Sequence, residues 1–217
     1  NTLRGPSPST RERSMSIKRE KVKLLIPDAS PLISLAHGGE DCLELIFKAK
    51  LPVVMTDQVL FEATYRKDEF QDAAVIDKWY RKHRTRIKVV ATKIGEARRA
   101  LESVGKYDHK KFADQGEESV LQAIKSKQLE PGPYLFLFED EQTADPSFFG
   151  VYPVHVVSTY GFLVGLERAH VIPSADKILE RIRSGGRHSL KADIIDRPTR
   201  KVRDPGEESE WVPTSPG

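Results

Sequence analysis

Residues 23–35 read KLLIPDASPLISL: a short apolar run that meets a single carboxylate, Asp28, and then turns. Leu24 to Pro27 are continuous in apolar character rather than alternating, which is the pattern of a strand covered on both faces. Four further runs share it: PVVMT (52–56), RIKVV (86–90), YLFLFE (134–139) and VHVVS (154–158). Helical periods lie between them, over 39–48, 57–66, 70–84, 94–104, 115–127, 160–168 and 174–183. The helix over 70–84 is the clearest, with Ala73, Ile76 and Tyr80 on one face and Lys78, Arg81, Lys82 and Arg84 elsewhere. Strands alternating with helices predict an α/β sandwich around a mainly parallel sheet. Ligands of such sheets sit beyond the carboxyl ends of the strands, so the residues that follow each strand are the ones to search.

Outward from this body, composition sets the limits. The chain has 217 residues, 38% hydrophobic and 31% charged, which suits one domain with flanking segments. Residues 1–22 carry no apolar period and predict a disordered basic segment, the part before Met15 being expected as leader or added sequence. Residues 23–183 form the predicted domain. Residues 184–217, rich in Pro and Gly, predict a flexible tail, basic first and acidic last. One cysteine, Cys42, excludes an internal disulfide and a thiolate metal site. No apolar run reaches the roughly 20 residues that span a bilayer. A soluble, cytoplasmic protein without membrane partners is expected. The formal net charge of +3 is small.

Four acids stand where solubility does not account for them. Asp28 closes the first strand, although a helix cap is the ordinary use of such a residue. In TDQVLFEATYR, Val59, Glu62 and Ala63 fall at i, i+3, i+4, which sets Glu62 beside the apolar stripe. In DQGEESVLQAIKSK, Glu117 shares a stripe with Val120, Leu121 and Ile124, whereas Glu118 reads as solvated. Asp140 lies in the Glu139-Asp140-Glu141 run after the fourth strand. Carboxylates gathered at one sheet edge repel each other and raise each other's pKa unless a cation neutralises them. An all-oxygen set suits Mg²⁺ or Mn²⁺. The basic run YRKHRTRIK supplies Arg81, Lys82, Arg84 and Arg86 as candidate phosphate contacts, with Lys106, Lys110 and Lys111 nearby in sequence. Trp79 and Tyr80 are expected in the core and Tyr107 as a possible base-stacking ring.

Taken in order, IPDASPLISL, VLFEA, DQGEESVLQAI, FLFEDEQTA and VSTYGFLVGLERAHVI resemble the PIN-domain ribonucleases, most nearly the branch of VapC-type toxins. The resemblance covers about residues 23–183. It implies a three-layer α/β/α sandwich with parallel strand order 3-2-1-4-5, and hydrolysis of RNA phosphodiester bonds with Mg²⁺ or Mn²⁺, water being the nucleophile. Carried over residue by residue, Asp28, Glu62, Glu117 and Asp140 match the family's metal-binding and catalytic acids. Thr159 matches its hydroxyl at the end of the fifth strand, and Ser30, Ser158 and Thr159 stand where substrate contacts are expected. Glu139-Asp140 replaces the pair of Asp common in this branch, which leaves the choice of ligand between neighbours open. The Arg usual after that pair is absent. A toxin of this kind would have a small antitoxin partner and a tendency to form homodimers.

Other readings are distinguishable. A haloacid-dehalogenase-like phosphatase wants a second Asp where Ser30 stands, and a receiver-like fold wants an acidic pair and a late-strand Lys that are not evident. A non-catalytic PIN-like module that binds RNA or protein is the remaining alternative.

Overall fold

In the computed structural model, which describes residues 22–109, 115–139, 146–194, 196–198, 211 and 213, each of the five apolar runs is a strand. They are β1 (Leu24–Pro27), β2 (Val53–Thr56), β3 (Ile87–Val90), β4 (Tyr134–Phe138) and β5 (Val154–Ser158). All five pair in parallel in the order β3-β2-β1-β4-β5. Every residue of β1, β2, β4 and β5 is buried, as their uninterrupted apolar character requires of strands covered on both faces. Only β3, the first strand in the sheet order, is partly open, with Lys88 exposed and Val89 half-buried between buried Ile87 and Val90. Helices pack on both faces and complete a three-layer α/β/α sandwich.

In chain order, the helices among the described residues are α1 (Ala29–His37), α2 (Glu40–Leu43), α3 (Leu45–Lys48), α4 (Asp57–Thr64), α5 (Gln71–His83), α6 (Lys93–Ser103), α7 (Gly116–Lys125), α8 (Thr159–Arg168) and α9 (Ala175–Ser184). Helix α1 is the one that periodicity did not mark. Its apolar residues follow β1 without a polar break beyond Asp28 and Ser30, and Pro31 reads as a breaker. Pro31 falls in the first turn, where its missing N–H costs nothing. Leu32, Leu35 and Ala36 are buried there.

The stretch read as a flexible tail contributes to the domain. Leu190 is buried, and β6 (Asp196–Pro198) extends the sheet antiparallel to β5, with His155 opposite Pro198 and Val157 opposite Asp196. Trp211 is buried with its ring stacked on Phe162, centroids 5.1 Å apart. A Cβ at Gly165 would stand 2.6 Å from both the Trp211 ring and its carbonyl, so α8 accepts the indole only because it carries glycine there. Residues 1–21 of the N-terminal segment lie outside the described residues. No described helix is long and apolar enough to cross a membrane.

Candidate functional site

The strand order reverses between β1 and β4, and the crevice above that switch point is where open α/β sheets bind ligands. Three of the strand-to-helix junctions at this carboxyl edge are closed by a hydroxyl. Thr56 accepts from the Val59 amide at 3.1 Å, Thr92 from Gly95 at 3.0 Å and Ser158 from Gly161 at 3.0 Å. Each satisfies an orphan donor of the helix that follows. Asp28 holds the equivalent position between β1 and α1, yet its carboxylate makes no capping bond. It is 7% exposed, and its Oδ1 is buried with no hydrogen-bond partner among the described residues. The cap role therefore does not account for it.

Gly116, at the start of α7, shows what Asp28 faces. A Cβ there would lie 2.8 Å from Glu62 Oε2 and 2.9 Å from Asp28 Oδ1, so the two carboxylates border the space left by the missing side chain. Burial, then the charge of Glu117, then that of Glu62 push the Asp28 carboxyl up to about 8, and the nearby amides of Ala29 and Ser30 offset this only in part. Asp28, Glu62 and Glu117 thus act on one another, as their sequence positions suggested. Glu117 is half-buried and Glu118 exposed, while Val120, Leu121 and Ile124 are buried beneath them.

Glu62 is aimed by residues that periodicity did not single out. Its Oε1 accepts from Gln58 Nε2 at 2.8 Å and from the Gln115 amide at 3.0 Å. Gln58 in turn accepts from Arg98 Nε at 3.2 Å, and the buried Arg98 lies over the Phe61 ring at 3.8 Å and donates to Glu102 at 2.7 Å. The i, i+4 spacing of Gln58 and Glu62 was open to a sequence reading. The Arg98 contact, from another helix, was not.

After β4, Glu139 is a cross-link. It accepts from Ser34 at 2.8 Å, from Thr159 Oγ1 at 2.6 Å and from Arg187 at 3.3 Å. Burial holds its carboxyl above the ordinary range, against the pull of Thr159, Ser34 and Arg187. Thr159 is thereby tied to Glu139, and Ser158, besides capping α8, donates to the Asp193 carbonyl at 2.7 Å. Ser30 is half-buried in the first turn of α1. Asp140, Lys110 and Lys111 lie outside the described residues.

The basic run lies at the other edge of the sheet. A helix that precedes a parallel strand runs back along the sheet, so its last turn reaches the amino edge, opposite the carboxylates. Arg81, Lys82 and Arg84 lie there, just before β3 begins at Ile87. Lys82 pairs with Glu40 at 2.9 Å and Glu44 at 3.5 Å, and Arg81 with Asp77 at 3.0 Å. They do not adjoin the acidic site. Trp79 is fully buried, as expected, and Tyr107 joins a ring cluster with Phe61, Tyr65 and His109.

The donors around Asp28 are all oxygen, and one of them is buried without a partner, a combination that fits a hard divalent cation. Among the described residues no group of three or more His, Cys, Asp or Glu side chains closes into a ligand set. Comparison with protein-family models, curated proteins and solved structures gives no match.

Proposed function

We propose that the chain is a PIN-like, Mg²⁺- or Mn²⁺-dependent ribonuclease. The observation that carries this reading is the unpartnered, buried Oδ1 of Asp28 facing Glu62 at the switch point of the sheet. Asp28, Glu62 and Glu117 would hold the cation, and the resemblance implies Asp140 as a further ligand. When bound, the cation would acidify a water and offset the charge on the scissile phosphate. The chain's own part is positioning. Gln58 and the Gln115 amide fix one oxygen of Glu62 and leave the other toward Asp28. Glu139 ties the ends of β4 and β5 to α1 through Thr159 and Ser34, so the crevice walls keep their spacing.

The purified chain is expected to cleave single-stranded or structured RNA with Mn²⁺ or Mg²⁺ and to stop in EDTA. Asp28→Asn should abolish cleavage while the circular dichroism spectrum is kept. Equal cleavage in EDTA, or by the variant, would overturn the reading. If the chain is a toxin, a short neighbouring reading frame should encode an antitoxin that silences it, and the pair or a homodimer should elute together.

A second reading, a non-catalytic PIN-like binding module, is favoured by Arg187 lying 3.3 Å from Glu139 at the same edge, a built-in counter-charge. RNA binding without cleavage at saturating Mn²⁺ would select it.

A further inference from the structure

At the amino edge, beneath the first residues of β1, β2 and β3, the chain forms a cavity of about 430 Å³ that is open to solvent. Its floor is apolar, formed by Leu24, Val53, Val54, Ile87 and Leu129. Its rim carries Lys23, Arg84, Arg86 and Lys88, against Glu130 as the one acidic lining residue. The cations nearby on α5 are neutralised: Lys78 and Lys82 by Glu40, and Arg81 by Asp77. The four on the rim make no ion pair with any described carboxylate. Arg86 is held in place without a counter-ion, its guanidinium stacked 3.8 Å over the Phe47 ring and its amide bonded to the His83 carbonyl at 2.8 Å. A stacked guanidinium keeps its N–H edge for a ligand and gives up little freedom on binding it.

Unpaired like charges around a concavity repel one another, and an anion relieves that repulsion. The apolar floor asks for more than an inorganic ion, and the volume is that of a small-ligand site, about 300–1,000 Å³. We propose that this cavity binds a nucleotide, its phosphate on Arg84, Arg86 and Lys88 and its base on the apolar floor. The same phosphate chemistry is presented by a free mononucleotide and by the terminal nucleotide of an RNA strand. Four strand residues, roughly 10 Å or more, separate this edge from Asp28, so one phosphate cannot serve both places. The proposal does not depend on the ribonuclease reading.

The test is a titration of the full chain in EDTA, by calorimetry and by ¹H–¹⁵N spectra, with AMP, UMP, inorganic phosphate, a six-residue oligouridylate and a glutamate-rich peptide. A mononucleotide is expected to bind more tightly than phosphate and to shift the amides of Val53, Val54 and Ile87. Arg86→Gln combined with Lys88→Gln should weaken it by about tenfold or more. Asp28→Asn and Lys82→Gln should leave it unchanged. Tighter binding of the oligonucleotide, lost in the same double variant, would identify a strand as the source of the phosphate and support the proposal. It is overturned if no nucleotide binds, if the double variant binds as well as the parent, if phosphate alone binds equally, or if only the acidic peptide binds.

Discussion

Asp28 is a carboxyl group that the fold keeps neutral in the absence of a cation. Its ordinary value of 3.8 rises to about 8, so between these limits the unfolded chain releases a proton that the folded chain retains. Stability is therefore whole below the lower value and declines as pH rises toward the upper one. Metal-free protein is expected to melt at progressively lower temperature from pH 4 to pH 8, a window set by those two values. Asp28→Asn should flatten that slope and make the metal-free protein more stable than the parent at pH 8. Calorimetric melting across pH checks this, and a variant less stable than the parent at pH 8 would contradict it. Mg²⁺ should raise the melting temperature of the parent and not of the variant. Gly116 gives a second expectation. Because a Cβ there meets both Glu62 and Asp28 at under 3.0 Å, Gly116→Ala should fold, gain helix propensity and, on the ribonuclease reading, lose cleavage by about 100-fold through displaced carboxylates. The contrast between Glu117 and Glu118 was legible in the sequence because helical periodicity separates adjacent residues by a large angle. The Arg98–Gln58–Glu62 chain was not, because it closes through space.

Helix α4 carries chemistry on two sides. Glu62 turns toward Asp28, while Phe61 and Tyr65 meet ring to ring at 4.7 Å, and Tyr65, 43% exposed, stacks on His109 at 4.8 Å with planes 16° apart. Such rings beside an acidic crevice suit unstacked bases. On the ribonuclease reading, Tyr65→Ala is expected to lower kcat/KM on single-stranded RNA by about tenfold, through KM, because stacking serves bound and reacting RNA alike. A fall in kcat at constant KM would refute that role. Elements were legible in proportion to their burial pattern. The five parallel strands stood out as apolar runs between helical periods, and their order agrees with the one the family resemblance implied. Helix α1 escaped because an apolar helix joined to an apolar strand shows no period of its own. Strand β6, three residues long, is defined by backbone pairing to β5 and has no apolar signature to read.

Across the whole molecule, the described residues after α9, among them Leu190, β6 and Trp211, are part of the fold. Trp211 fills a slot above Gly165, so Trp211→Ala should cost about 3–5 kcal/mol, read as a lower urea midpoint at unchanged slope. A change within 0.5 kcal/mol would show that the indole only rests on the surface. Trp79 is buried as well, so native fluorescence should be blue-shifted, and Trp211→Phe would leave Trp79 to report on the core alone.

The basic and acidic ends of the sheet have one more consequence. With Lys23, Arg84, Arg86 and Lys88 at one end of the strands and Glu62 and Glu117 beside the neutral Asp28 at the other, the small net charge of +3 conceals a local separation of charge along the sheet. A polyanion that meets these surfaces is attracted at the amino end of the sheet and repelled at the carboxyl end. If the crevice takes up a divalent ion as proposed, the acidic end loses negative charge and that separation shrinks. Ion loading would then bear on where a polyanion is received as well as on the chemistry.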